Sequence, residues 1–192
     1  LGIAATVADP EAVIIGPNDP AAMMRLAREC RQRSVPFVFD PAHQLPRLDA
    51  SDLTTATEGA WILIGNDYEI ELVKERMQCG DDDLLGHADM VVTTMGKDGS
   101  RIAGPDGVAE IPAAPSGPVV DPTGAGDAYR SGLVAGLLRG LDIPAAGRVA
   151  SLAATYAIEQ VGTAEHSYTQ EEFSDRYRDS FAASLPGEFF PS

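Results

Sequence analysis

Short apolar runs rich in β-branched and aromatic residues alternate along this chain with stretches of helical character, and that rhythm restricts the fold more than any other feature. Ala12 to Gly16 (AVIIG), Pro36 to Asp40 (PFVFD), Trp61 to Gly65 (WILIG) and Met90 to Met95 (MVVTTM) read as strands. Between the first two, Asn18 or Asp19 can cap a helix that has Pro20 at its first position and runs through Met23, Leu26 and Cys30. A second helix spans about Asp67 to Met77. Strands separated by helices imply βαβ units around a largely parallel sheet, so the expected class is α/β. After Met95 the rhythm changes. Ser100 to Gly104, the turn Gly104-Pro105-Asp106-Gly107, and Val108 to Ile111 read as an antiparallel hairpin. The Pro-rich stretch Pro112 to Pro118 is a connector to two helices, roughly Asp127 to Arg139 and Pro144 to Gln160. Gly140 is a plausible stop for the first. Small residues at Ala146, Ala150, Ala153, Ala154 and Ala157 let the second pack closely. An amphipathic segment from Gln170 to Ala183 follows. With 192 residues, one α/β domain spanning 1–192 is expected.

The charge balance excludes some functions. Fourteen Lys and Arg against 29 Asp and Glu give a net charge of −15. Such a surface repels phosphodiester backbones and anionic membranes, and no local basic patch offsets it. Nucleic-acid and membrane partners are therefore not expected. An anionic ligand would have to be held by backbone amides, a helix N-terminus or a metal ion. Cys30 and Cys79 lack metal-ligand or redox spacing and read as ordinary thiols in a reducing, cytoplasmic setting. Arg148 and Glu159 interrupt the Ala-rich stretch Pro144 to Val161, so it is not read as a membrane span.

The segment Val119-Val120-Asp121-Pro122-Thr123-Gly124-Ala125-Gly126-Asp127-Ala128 carries the chemistry. It reads as a short strand, a glycine-rich turn and the start of a helix. The first turn of a helix has unpaired N–H groups and a partial positive charge, which together favour an anion. Gly124 and Gly126 let the backbone approach a phosphate closely. An ionised Asp127 at the helix start points toward whatever occupies that anion site. Phosphoryl transfer needs such an arrangement: amides around the migrating group and a carboxylate beside the attacking hydroxyl. In this reading Asp127 accepts the hydroxyl proton, and the amides of Gly124, Ala125 and Gly126 form the anion hole.

DPTGAGDAYRSG resembles the signature of the PfkB, or ribokinase-like, carbohydrate and nucleoside kinases, and the resemblance extends over nearly the whole chain. It implies a three-layer α/β/α sandwich with a mostly parallel sheet, and ATP and Mg²⁺ as cofactors. Asn66-Asp67-Tyr68-Glu69 is similar to the family's N-x-x-E element, whose Glu organises Mg²⁺ through water. The same pair, Asn66 and Glu69, also has the spacing of a helix capping box, and both readings stay open. Thr93 to Gly99 (TTMGKDG) resembles the strand end that contacts ATP, which makes Thr94, Gly96 and Gly99 ATP-binding candidates. Asp121 and Thr123 match family positions that hold a monovalent cation such as K⁺. Arg130 could reach a phosphate or form a structural ion pair. Within the family the likeness to bacterial adenosine kinases rests on Asp40 to Leu45, Asn66 to Glu69, Asp127 to Gly132 and Glu159 to Glu165.

Gly96-Lys97 is not a P-loop, because Asp98 stands where Ser or Thr is required and no upstream glycine has the spacing. His43, His87 and His166 are scattered and read as surface or loop residues. Asp81-Asp82-Asp83 reads as an acidic helix start. The chain opens at Leu1, at a point resembling the middle of the family pattern. The family's N-terminal substrate elements and β-sheet lid are expected to be absent from this stretch, and the resemblance implies a homodimer formed through that lid in the full-length protein. The expected activity is transfer of a phosphoryl group from ATP to a nucleoside, adenosine first. Alternatives are a ribose- or fructose-like acceptor and a nucleotide-binding module without chemistry. A dinucleotide-binding oxidoreductase is disfavoured, since no G-x-G-x-x-G follows the first strand.

Overall fold

Four strands match the apolar runs: β1 (Val13–Ile15), β2 (Phe37–Phe39), β3 (Ala60–Asn66) and β4 (Ala88–Thr94). They pair in parallel, with Val13 opposite Phe37, Val38 opposite Ile62 and Asn66 opposite Thr94. β5 (Ser100–Gly104) and β6 (Gly107–Ile111) complete a six-stranded sheet of order β1-β2-β3-β4-β5-β6. Only two residues join β5 to β6, which permits an antiparallel hairpin and excludes a parallel crossover. The computed structural model describes residues 9–163, 165–187 and 189–190. Its contacts fall into two compact units. One contains the chain up to Met95 together with Arg101–Val108; the other contains Gly96–Ser100 and the chain from Ala109 onward.

In the first unit, α1 (Pro20–Arg33) starts as the sequence suggests. Asp19 is the cap, accepting the Ala22 N–H at 3.2 Å, with Pro20 in the first turn. α3 (Asp67–Met77) and α4 (Asp81–His87) join β3 to β4. The Asp81-Asp82-Asp83 run opens α4, where Asp83 accepts the Gly80 N–H at 2.8 Å. α2 (Ala50–Thr57) is an element that the strand–helix rhythm did not reveal. Its start is written in Asp49 and Asp52, whose carboxylates accept each other's backbone N–H at 2.9 and 3.3 Å. The core of this unit is built from Phe37, Phe39, Leu45, Leu53, Leu63, Val73 and Leu84.

In the second unit, α5 (Ala125–Leu138) and α6 (Ile143–Ile158) pack face to face. The approach is close because small residues meet: a Cβ on Gly132 would lie 2.9 Å from Ala150 Cα, and one on Gly136 would lie 3.0 Å from Ala146 Cα. Any larger side chain there would force the helices apart. Gly140 follows α5 with φ +76°, the left-handed stop that its position suggested. α7 (Gln170–Phe181) buries Phe173 and Tyr177. Among the described residues no helix is long and apolar enough to cross a membrane. Cys30 and Cys79 are free thiols, and burial raises the Cys30 pKa to about 11.

Candidate active site

Two details of the glycine segment differ from the sequence expectation. No strand precedes it: Val119 and Val120 are 58% and 53% exposed, and the N–H groups of Val120 and Asp121 both donate to Ile158 O at the end of α6. Two adjacent β-branched residues suggest a strand, but no neighbouring ladder claims these amides. α5 also begins earlier than expected, at Ala125. Gly124 is its N-cap, in the left-handed region at φ +87°, and Asp127 is its third residue.

Gly124 has no side chain with which to cap the helix. The N–H groups of Gly126 and Asp127, in the first turn, have no intrahelical acceptor and form a concentrated donor set for an anion. Ala125, counted in the expected anion hole, already donates to Pro122 O at 3.3 Å. Gly124 is required on two counts. Its φ suits glycine, and a Cβ there would fall 2.9 Å from both Thr163 Cα and Thr163 O. The loop after α6 therefore closes directly on the turn.

Asp121 clasps that loop. One carboxylate oxygen accepts the Thr123 N–H at 2.9 Å, and the other accepts the Gly162 N–H at 3.1 Å. The hydrogen bonds from Thr123, side chain first and then backbone, together with that from Gly162, hold the Asp121 carboxyl below the usual carboxylate range. Sequence reading assigned no role to the Asp121–Gly162 bond, which joins residues 41 apart. Of the Glu159 to Glu165 stretch, Ala164 lies outside the described residues, as does Leu1.

Asp127 presents its carboxylate to solvent, 72% exposed. Its Oδ1 is bound by Arg130 Nη2, one turn along the same helix, and that arginine side chain is only 13% exposed. Arg130 therefore forms an ion pair. Tyr129, which lies between Asp127 and Arg130 in the sequence, is buried. Its hydroxyl meets the buried Ser100 hydroxyl at 2.6 Å, and burial pushes its pKa up to about 12. In the same unit Gly99 has φ +90°, and a Cβ on it would strike Ile111 O at 2.0 Å. Gly96 has φ +57° and opens the short 3-10 turn Gly96–Asp98. Gly99 is thus demanded by backbone geometry, whereas a Cβ on Gly96 would meet nothing within 4 Å.

In the first unit, Asn66 and Thr94 are register partners at the carboxyl ends of β3 and β4. The Thr94 hydroxyl donates to Gly65 O at 3.4 Å. This end of a parallel sheet is where α/β proteins bind ligands. Asn66 and Glu69 form a complete capping box: Asn66 Oδ1 accepts the Glu69 N–H and Glu69 Oε2 accepts the Asn66 N–H, each at 2.8 Å. Among the described residues no group of three or more His, Cys, Asp or Glu side chains converges on a metal position.

The family profile "pfkB family carbohydrate kinase" matches residues 5–170. The chain belongs to the pfkB family. Among its relatives is a nucleoside kinase of Methanocaldococcus jannaschii, 30% identical over 166 residues, covering 86% of this chain and 55% of that protein. A nucleoside kinase of Methanothermobacter thermautotrophicus is 37% identical over 156 residues, covering 79% and 49%. The solved nucleoside kinase of Burkholderia thailandensis in complex with ADP-inosine superposes with a TM-score of 0.92 at 34% identity, covering 98% of this chain and 59% of that one. These likenesses place this pfkB chain in the ribokinase-like α/β/α class, as its signature implied. The chain spans about half the length of the curated relatives it matches.

Proposed function

We propose that this pfkB protein transfers the γ-phosphoryl group of ATP to a hydroxyl of a nucleoside, with adenosine as the preferred acceptor. The observation that carries the reading is the exposed Asp127 carboxylate in the first turn of α5, beside first-turn N–H groups that no side chain caps. In the reaction, Asp127 takes the proton of the acceptor hydroxyl as that oxygen bonds to the γ-phosphorus. The bond from the γ-phosphorus to the bridging oxygen breaks, and ADP leaves. The amides of Gly126 and Asp127, with Gly124 allowing close approach, stabilise charge on the migrating group. The nucleoside kinases among the relatives and the ADP-inosine complex of the Burkholderia protein support a nucleoside acceptor.

ATP reaches such enzymes with Mg²⁺, which neutralises phosphate charge. Asn66 and Glu69 would hold its water shell: the cap uses Glu69 Oε2 and leaves Oε1 to accept a hydrogen bond from metal-bound water. Thr94, Gly96 and Gly99 are proposed as nucleotide contacts. Asp121 and Thr123 are proposed for a monovalent cation, K⁺, at lone pairs that their hydrogen bonds leave open.

A panel of adenosine, inosine, ribose and fructose with ATP and Mg²⁺, read as ADP release by the full-length protein, tests this. Adenosine should give the highest kcat/KM. Ribose or fructose exceeding both nucleosides would replace the acceptor assignment, and ADP release independent of any acceptor would remove it.

A further inference from the structure

Among the described residues five α-helices carry an acidic residue at their third position, and one of them behaves differently. In α2, α3, α4 and α7 that residue turns back onto the helix cap. Asp52 accepts the Asp49 N–H at 3.3 Å, Glu69 that of Asn66 at 2.8 Å, Asp83 that of Gly80 at 2.8 Å and Glu172 that of Thr169 at 2.7 Å. This is the resting place of a carboxylate at that position, because the cap N–H lacks an intrahelical partner. Asp127 occupies the same position in α5 and does not take it. Its Oδ1 is bound instead by Arg130, whose largely buried guanidinium lies along the first turn, with Nη1 3.6 Å from where a Gly126 Cβ would be. Asp127 Oδ2 has no partner among the described residues.

We propose that Arg130 is a positioning residue for phosphoryl transfer: it draws Asp127 off its own helix cap, keeps the Gly124 amide and the anion nest open, and leaves one carboxylate oxygen for the acceptor hydroxyl. The inference rests on the reading of Asp127 as the general base. Without Arg130, Asp127 falls back onto the Gly124 N–H as its four counterparts do. That removes the base from the acceptor and sets a negative charge where the phosphoryl group must sit. Burial lowers the Arg130 pKa from its ordinary value, the mark of a cation kept largely out of water. Lysine is not equivalent, since one ammonium cannot span Asp127 and the turn as a planar fork does.

The test is a double-mutant cycle in the full-length protein with ATP and adenosine, using Arg130→Gln, Arg130→Lys, Asp127→Asn and the Arg130→Gln/Asp127→Asn pair. Arg130→Gln should lower kcat by about 10²-fold, as expected for a displaced reacting group, with a much smaller change in the KM for adenosine. Arg130→Lys should fall between Arg130→Gln and the parent. In the Asp127→Asn background, Arg130→Gln should cost nothing further. Thermal melting of all variants separates this from loss of fold, and a crystal structure of Arg130→Gln should show Asp127 on the Gly124 N–H. An equal loss in both backgrounds, or an unchanged kcat in Arg130→Gln, overturns the proposal while leaving Asp127 as the base. Full turnover in Asp127→Asn instead overturns the reading beneath it.

Discussion

Replacing Gly124 by alanine probes the anion nest through stability, independently of any substrate. Gly124 sits at φ +87°, and a Cβ there would lie 2.9 Å from Thr163 Cα, 2.9 Å from Thr163 O and 3.1 Å from Thr163 Cβ. Forcing a side chain into the left-handed region costs about 1–2 kcal/mol. Crowding against Thr163 adds about 1–3 kcal/mol, because two of the three atoms are backbone and cannot swing aside like the end of a flexible side chain. The total is about 2–5 kcal/mol. Gly140 is the internal control, with φ +76° and nothing within 4 Å of its Cβ position, so Gly140→Ala should lose only the conformational part. Urea denaturation of both variants at constant m measures the difference. Gly124→Ala should be the less stable by about 1–3 kcal/mol. Equal losses would refute the claim that the loop after α6 closes against the nest.

Two further outcomes are expected. Glu69→Gln preserves the capping box, because a glutamine carbonyl can accept the Asn66 N–H. Stability should stay within about 0.5 kcal/mol while the Mg²⁺ requirement for turnover rises. An unaltered Mg²⁺ profile would leave Glu69 as a cap alone. Glu159 accepts Arg176 Nη1 and Nη2 at 2.7 and 2.6 Å and the Gly117 N–H at 2.8 Å; hydrogen bonding to Arg176 holds its carboxyl below the usual range. A depressed native pKa stabilises the fold above the unfolded value and ceases to do so as pH falls through the native one. Glu159→Gln should therefore lose about 1–2 kcal/mol near neutrality, with the gap closing below about pH 4. Calorimetry at both pH values checks this, and a gap that persists in acid would contradict it.

The βαβ rhythm was legible because strand and helix signals are local: the apolar runs, Asp19 with Pro20, and Asn66 with Glu69 all act within a few residues. The same locality explains the misses. Val119-Val120 has strand composition, but its amides are claimed by Ile158, far along the chain. The start of α5 at Ala125 depends on Gly124 adopting a positive φ against Thr163, a long-range packing fact. Gly132 and Gly136 became meaningful only once Ala150 and Ala146 were seen to face them. At the candidate site the motif directed attention to Asp127 and its glycines. The Asp121 clasp onto Gly162 lay beyond it. The Arg130 ion pair, with its i to i+3 spacing, was one of two roles that the sequence left open.

Single-turnover transfer by Asp127→Asn, with ATP binding followed in the same samples, tests the central claim most directly. Asparagine keeps the shape and the helix start but cannot take a proton. The rate should fall by about 10²–10⁴-fold while ATP binding is largely spared. A rate equal to that of the parent would contradict the assignment of Asp127 as the group that frees the attacking oxygen.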